Sequence, residues 1–161
     1  MNRGLLLVGA VGLSLAGCAT LAGPSNLSWT YKPDSGTGIA DGPMALWGEP
    51  EAMAFHALRC NSAARTLDFE DIEVEEFEGG RPIRIEADGQ AWIGEQRLKP
   101  LDGVAVALAS VPIDHPVVTA LGNGARFRIT GADGSFDLPT SSAVRRVVRE
   151  CRAALVTETK S

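Results

Sequence analysis

The chain has 161 residues, of which 45% are hydrophobic and 22% are charged, and its formal net charge is −5. This length fits a single domain, and this apolar fraction excludes wholesale disorder. Because nucleic-acid binding depends on clustered Lys and Arg, an acidic chain with a pI near 5.0 is not expected to bind nucleic acid. Eighteen glycines and nine prolines predict many turns and short elements rather than a helix bundle.

Residues 1–17 have the pattern of a signal peptide. Arg3 gives a short positive region, and residues 4–17 carry no charge. As a helix this uncharged stretch would rise about 21 Å, which is too short for the roughly 30 Å hydrocarbon core of a bilayer. We therefore expect residues 1–17 to be removed and to take no part in the fold.

The end of this segment, Leu15-Ala16-Gly17-Cys18, resembles the lipobox of bacterial lipoproteins. The resemblance implies that the Cys18 thiol receives a diacylglyceryl group, that signal peptidase II cleaves before it, and that the new amine is acylated. Several acyl chains anchor a protein stably, whereas one chain binds only marginally. Ala19 stands where an Asp would resemble an inner-membrane retention signal, so we expect an outer-membrane protein facing the periplasm. The alternatives are a plain secretory signal with a chance cysteine and a short membrane helix.

The mature chain is predicted to be one domain on a short tether. Residues 18–28 form the lipidated cysteine and a small, polar linker, and residues 29–161 form the domain. Ten residues span at most about 35 Å, so the domain would stay near the bilayer. Cys60 and Cys151 are the two remaining cysteines, and such a pair in an exported domain predicts a disulfide.

Short strands with turn signals between them dominate the domain. Strands are predicted at residues 29–32, 45–47, 52–60, 66–69, 72–77, 82–87, 90–93, 104–111, 125–130 and 135–138. Asp88-Gly89 predicts a two-residue hairpin turn, because that turn requires positive φ. The predicted fold is mainly β within the α+β class: an antiparallel sandwich or an open barrel, closed by a C-terminal helix and carrying one additional short helix.

Two helices are predicted between and after these strands. The short one covers residues 116–121, with Asp114 as its cap. The C-terminal one begins after Pro139, and its core-facing stripe has helical spacing. The members of that stripe are Val144, Val147, Val148, Cys151 and Leu155.

Two charged segments are candidates for contact with a partner. Seven acidic residues fall within residues 68–78, where Glu73, Glu75 and Glu76 alternate with apolar positions. We interpret this segment as a solvated edge strand rather than a cation site, because its charges are spread along the chain. The last helix carries four arginines at positions 145, 146, 149 and 152. Arg145, Arg149 and Arg152 are candidates for contact with a partner or with anionic headgroups. The alternative is that the arginines form a solvated helix face.

Candidate catalytic chemistry is sparse. His56 and His115 are the two histidines, and we interpret them as a core or rim residue and a turn residue. Ser62 lies close to His56 in sequence, but no Gly-x-Ser-x-Gly or Ser-x-x-Lys motif is present. Three separate tryptophans are interpreted as core material. No metal or cofactor motif is found, so the expected cofactor is none beyond the covalent lipid on Cys18.

Residues 29–152 resemble proteobacterial envelope proteins without an assigned activity. The resemblance rests on Leu58-x-Cys60, Ala120-Leu121, Phe127-x-Ile129, Leu138-Pro139 and Cys151. Two classes of function remain: a non-catalytic envelope module that binds a protein, peptidoglycan or a lipid, and an inhibitor of a protease or lysozyme. The inhibitor would use the loop from Gly36 to Gly42. An enzyme is the third choice.

Overall fold

The structure, a computed structural model, describes residues 26–33, 42–49, 54–72, 74, 77–101 and 104–158. The predicted signal peptide, Cys18 and most of the tether lie outside the described residues. So do Glu73, Glu75 and Glu76, and the loop proposed for inhibition except for Gly42. Within the described ranges, no helix has the length and apolar character needed to cross a membrane.

The described residues form nine strands and two helices. The strands are β1 (Ser28–Lys32), β2 (Met44–Gly48), β3 (Ala54–Asn61), β4 (Thr66–Asp71), β5 (Gly80–Ala87), β6 (Gln90–Leu101), β7 (Val104–Pro112), β8 (Phe127–Gly131) and β9 (Gly134–Leu138). The helices are α1 (Pro116–Gly122), between β7 and β8, and α2 (Ser142–Glu158), after β9.

All nine strands belong to one antiparallel sheet with the order β1-β2-β3-β4-β7-β6-β5-β8-β9. The sheet curls into a half-barrel, as the right-handed twist of many consecutive strands favours. The predicted mainly β fold with a C-terminal helix is therefore confirmed, and of the two predicted architectures the molecule adopts the open barrel.

The hairpin between β5 and β6 follows the local sequence signal. Asp88 and Gly89 form its two-residue turn with φ of 48° and 72°. Both values lie in the left-handed region that glycine and aspartate tolerate best. β6 continues to Leu101, eight residues beyond the predicted strand, because it pairs with β5 and then with β7.

The two helices pack against the concave face of the sheet and fill the half-barrel. The predicted stripe of α2 is fully buried, and it contacts β1, β2 and β3. α1 packs against α2, β5 and β6. The predicted disulfide is present: Cys60 on β3 and Cys151 on α2 are bonded, with their Cα atoms 5.3 Å apart. The disulfide therefore joins the sheet to the helix that closes it.

The prediction of a solvated edge strand over residues 68–78 was wrong for its first part, residues 68–71. β4 lies in the interior of the sheet between β3 and β7, and Asp68 and Glu70 are buried. Arg59 on β3 donates hydrogen bonds from Nε and Nη2 to the two Glu70 carboxylate oxygens at 2.7 and 3.3 Å. Asn61 and Thr66 donate to Asp68 at 3.1 and 2.8 Å. These partners, two on β3 and Thr66 on β4 itself, make burial of the carboxylates tolerable.

Two local predictions also differ from the structure. No strand is assigned at the described residues of the predicted strand 72–77, so β4 ends at Asp71. The cap of α1 is His115 rather than Asp114. The His115 side chain accepts a hydrogen bond at Nδ1 from the Val117 backbone N–H at 3.2 Å, and Pro116 occupies the first helical turn.

Candidate functional site

A row of four side chains crosses the concave face near one end of the half-barrel. The strand register aligns Trp29 with Trp47, Trp47 with His56, and His56 with Asp71, so β1 to β4 contribute one residue each. Side chains directly opposite one another in adjacent strands lie on the same face and touch. The Trp29 and Trp47 rings are 5.4 Å apart, and His56 Nδ1 lies 3.6 Å from Asp71 Oδ1.

The curl of the sheet brings its last strand against this row. The Phe136 ring on β9 is 5.4 Å from the His56 ring on β3, although the two strands are six positions apart in the sheet. The Trp29 indole N–H donates to the Pro139 carbonyl at 2.6 Å and so connects β1 with the residue that follows β9. The two edges of the half-barrel are thus bridged by side chains.

A cleft of about 580 Å³ opens at this end, and we call it the mouth cleft. Among the described residues it is lined by Leu27, Trp47, Phe55, His56, Asp71, Val74, Asp133 and Phe136. Five of these side chains are apolar and three are polar. Its volume falls in the range of about 300–1,000 Å³ that is typical of small-ligand sites.

A second, smaller cavity adjoins the mouth cleft and shares His56, Asp71, Asp133 and Phe136 with it. Its volume is only about 30 Å³, with Leu58, Phe69 and Phe127 among its walls. A single water needs roughly 10–15 Å³, so this cavity can hold one or two waters and no organic ligand. Of these two adjoining spaces, only the mouth cleft has room for an organic ligand.

His56 is the titratable group at the centre of the site. Its side chain is 13% exposed, and burial lowers its pKa, while the Asp71 carboxylate opposes that shift. The neutral imidazole is therefore the favoured form near pH 7 and packs well against the Phe136 ring. An Asp beside Nδ1 would favour the tautomer with the proton on that nitrogen, which leaves Nε2 as an acceptor.

Among its described lining residues the mouth cleft has a histidine base and two carboxylates, Asp71 and Asp133, but no hydroxyl, thiol or amine nucleophile. None of these lining residues is Ser, Thr, Cys or Lys. Asp133, in the turn between β8 and β9, lies 3.4 Å from the Arg81 guanidinium at the rim. Within the ranges that the structure describes, no three His, Cys, Asp or Glu side chains are grouped to hold a metal ion.

The predicted contact residues of α2 come together elsewhere on the molecule. Arg145, Arg149 and Arg152 all line a groove between α2 and the end of α1, away from the mouth cleft. His115 caps α1 and lies in neither place. All three tryptophans are partly buried and pack against the core, which confirms their interpretation as core material. Trp47 also lines the mouth cleft.

Sequence reasoning missed the pairing of His56 with Asp71 and the contribution of Phe136. The alternation of His56, Leu58 and Cys60 did indicate that His56 shares the face of the disulfide. The partner of His56, by contrast, depends on the register between β3 and β4. The approach of Phe136 depends on the curl of the whole sheet, which no local pattern encodes.

Comparisons with protein-family models, with curated proteins and with solved structures find no match for this chain.

Proposed function

We propose that this chain is a lipid-anchored lipoprotein of the bacterial envelope that acts as a non-catalytic binding module. Its ligand site would be the mouth cleft, at the end of the domain where the tether enters. The observation that carries the proposal is the composition of that cleft: an apolar, largely aromatic wall with three polar groups at one side and a volume suited to a small amphipathic group. Aromatic side chains supply most of the contact energy in such sites.

The position of the cleft supports a role near the membrane. Leu27, which lines the cleft, is nine residues after Cys18. This stretch spans at most about 32 Å, so a domain anchored at Cys18 would keep its cleft close to the bilayer surface. The predicted outer-membrane location, facing the periplasm, would therefore place the cleft within reach of lipids and of envelope proteins.

The alternative role as an inhibitor of a protease or lysozyme stays a proposal of its own. Its inserting loop falls outside the described residues except for Gly42. A specific observation favours a catalytic alternative instead: His56 and Asp71 have the relative arrangement of a general base and the carboxylate that orients it. The nucleophile would then be a water, a group of the substrate or the Asp133 carboxylate, because none of the described lining residues is Ser, Thr, Cys or Lys.

Photocrosslinking from two exposed hydrophobic positions tests the binding site. A photoreactive phenylalanine analogue replaces Phe136, which is 44% exposed in the cleft, or Ile93, which is 68% exposed on β6 and serves as the matched control. We expect a defined mass adduct on the lipoprotein from position 136 and not from position 93. Equal adducts at both positions, or none at either, would refute a ligand site in the mouth cleft.

Complementation of a gene deletion separates binding from catalysis. If the cleft only binds a ligand, the His56→Gln variant should either keep both the adduct at position 136 and its function, or lose both. Catalysis predicts that the variant keeps the adduct and loses function. Expression level and membrane fractionation of each variant are matched to the wild type.

A further inference from the structure

Three arginines of α2 converge on one groove, which we call the arginine groove. Arg145, Arg149 and Arg152 are spaced by four and three residues, so they lie on one face of the helix. The groove has a volume of about 320 Å³, and Gly122 and Asn123, at the end of α1, form its other side. α1 and α2 pack directly against each other, and a Cβ atom on Gly122 would approach Val148 to 3.0 Å. The floor of the groove is therefore closely packed.

The three arginines of this groove form no direct ion pair within the part of the chain that the structure describes; the Glu150 carboxylate, which is paired with Arg146, attracts Arg149 only at longer range. No described carboxylate lies within 4 Å of the guanidinium of Arg145, Arg149 or Arg152. Arg152 donates from Nη2 to two neutral acceptors, the Ile113 carbonyl at 3.3 Å and Thr119 Oγ1 at 2.7 Å. The partial negative charge at the end of a short helix such as α1 offsets only part of three full charges.

The neighbouring Arg146 shows how differently the other side of the same helix is arranged. Its Nε donates to Glu150 at 2.7 Å, and its guanidinium lies 3.9 Å above the Tyr31 ring. The hydrogen bonds from Arg146 and from the Tyr31 hydroxyl hold the pKa of Glu150 below its usual value. Arg146 is therefore engaged within the protein, whereas the arginine groove presents its charge to an external group.

We propose that the arginine groove binds the phosphate group of an anionic phospholipid headgroup in the membrane that holds the anchor. Guanidinium groups bind phosphate oxygens in pairs of parallel hydrogen bonds, which Arg145 and Arg149 can supply. Arg152, whose Nη2 is held by the Ile113 carbonyl and by Thr119, is oriented and can add a single hydrogen bond. The lipid source follows from the proposed anchoring at Cys18, because the short tether keeps the whole domain within reach of headgroups. Contact there would orient the domain on the membrane.

The first test uses a water-soluble headgroup, so that its outcome does not depend on anchoring or on the mouth cleft. The lipidated protein in neutral detergent is titrated with glycerophosphoglycerol, with inorganic phosphate and with glycerophosphocholine, and binding is followed by the NMR signals of the arginine Nε–H groups. We expect glycerophosphoglycerol to bind, and Arg145→Gln and Arg149→Gln each to weaken it about fivefold. The matched control Arg146→Gln, with the same loss of charge on the same helix, should leave it unchanged.

The second test places the lipidated protein in phosphatidylcholine nanodiscs with and without phosphatidylglycerol. We expect slower hydrogen exchange at residues 122–126 only when phosphatidylglycerol is present, and we expect Arg149→Gln, but not Arg146→Gln, to abolish the difference. If Arg146→Gln and Arg149→Gln reduce the phosphatidylglycerol-dependent protection equally, the effect comes from diffuse surface charge, and the proposed site is overturned. If inorganic phosphate binds as tightly as glycerophosphoglycerol and phosphatidylglycerol has no effect in nanodiscs, the groove binds free phosphate and the proposed lipid ligand is overturned.

Discussion

Removal of the Cys60–Cys151 disulfide should cost a large part of the stability of the domain. The two cysteines are 91 positions apart in the chain. In the chain-entropy treatment, opening a loop of this size destabilises the folded state by about 4–5 kcal/mol, because the unfolded chain regains its freedom. The free energy of unfolding of such domains is typically only about 5–15 kcal/mol. The reduced protein should therefore be close to the limit of stability.

The native packing should survive this loss, which makes the prediction measurable. The Cys60 and Cys151 side chains are 1% and 0% exposed, so two reduced thiols would remain in an apolar environment that they tolerate. Equilibrium urea unfolding of the oxidised and the reduced protein gives the difference directly. A Cys60→Ala/Cys151→Ala variant should lose slightly more than the reduced protein, because it also leaves a small cavity. A difference below about 1 kcal/mol between the oxidised and reduced forms would refute the entropic reasoning.

Three further predictions concern single side chains. In urea unfolding, His115→Ala should lower the free energy of unfolding by about 0.5–2 kcal/mol. His115→Asn can still cap α1 and should lower it less. Equal losses of stability in the two variants would argue against the cap. Burial lowers the pKa of His56 in the folded protein, so the unfolded chain binds a proton at this position more readily. The free energy of unfolding should therefore be highest above about pH 6.5 and should fall as the pH drops towards the lowered pKa. This pH dependence should be weaker in the His56→Gln variant. Glu70→Leu should destabilise the protein by up to about 3–5 kcal/mol because it removes the carboxylate that accepts from Arg59 Nε and Nη2. The Arg59→Met/Glu70→Leu variant should cost less than the sum of Arg59→Met and Glu70→Leu measured separately; additive losses would contradict the pair.

Much of the fold could be predicted because its signals are local. The turn at Asp88-Gly89 requires a backbone conformation that few residues adopt, and the pairing of β5 with β6 follows from it. The apolar stripe of α2 gave the helix and the face that meets the sheet. For the turn and the helix neighbouring residues contain the whole argument, whereas the disulfide between Cys151 and Cys60 was predicted from the two cysteines that remain after Cys18.

The errors arose where a partner distant in sequence decides the outcome. The acidic residues of β4 suggested a solvated edge strand, but Glu70 lies beside Arg59, eleven residues away, and is buried with it. The pairing of Glu70 with Arg59 depends on strand register, and composition does not reveal it. The cap of α1 is a separate, local case: the helix begins at Pro116 as predicted, and the residue directly before it, His115 rather than Asp114, is the cap.

The arrangement of the candidate sites was the least accessible part. His56, Asp71 and Phe136 meet because β3, β4 and β9 are brought together by register and by the curl of nine strands. The three groove arginines could be placed on one face of α2 by their spacing alone. That this face borders the end of α1, and that Arg146 lies over the Tyr31 ring of β1, required the tertiary structure.

The lipid anchor at Cys18 is the claim on which the envelope location, the membrane-facing cleft and the headgroup contact all depend. Mass spectrometry of the N-terminal peptide of the protein purified from membranes tests it directly. We predict a mature chain that begins at Cys18 and carries the mass of a diacylglyceryl group and an additional acyl chain, and no lipid in a Cys18→Ser variant. An unmodified Cys18 in protein that still fractionates with the membrane, or a chain that retains residues 1–17, would contradict the account.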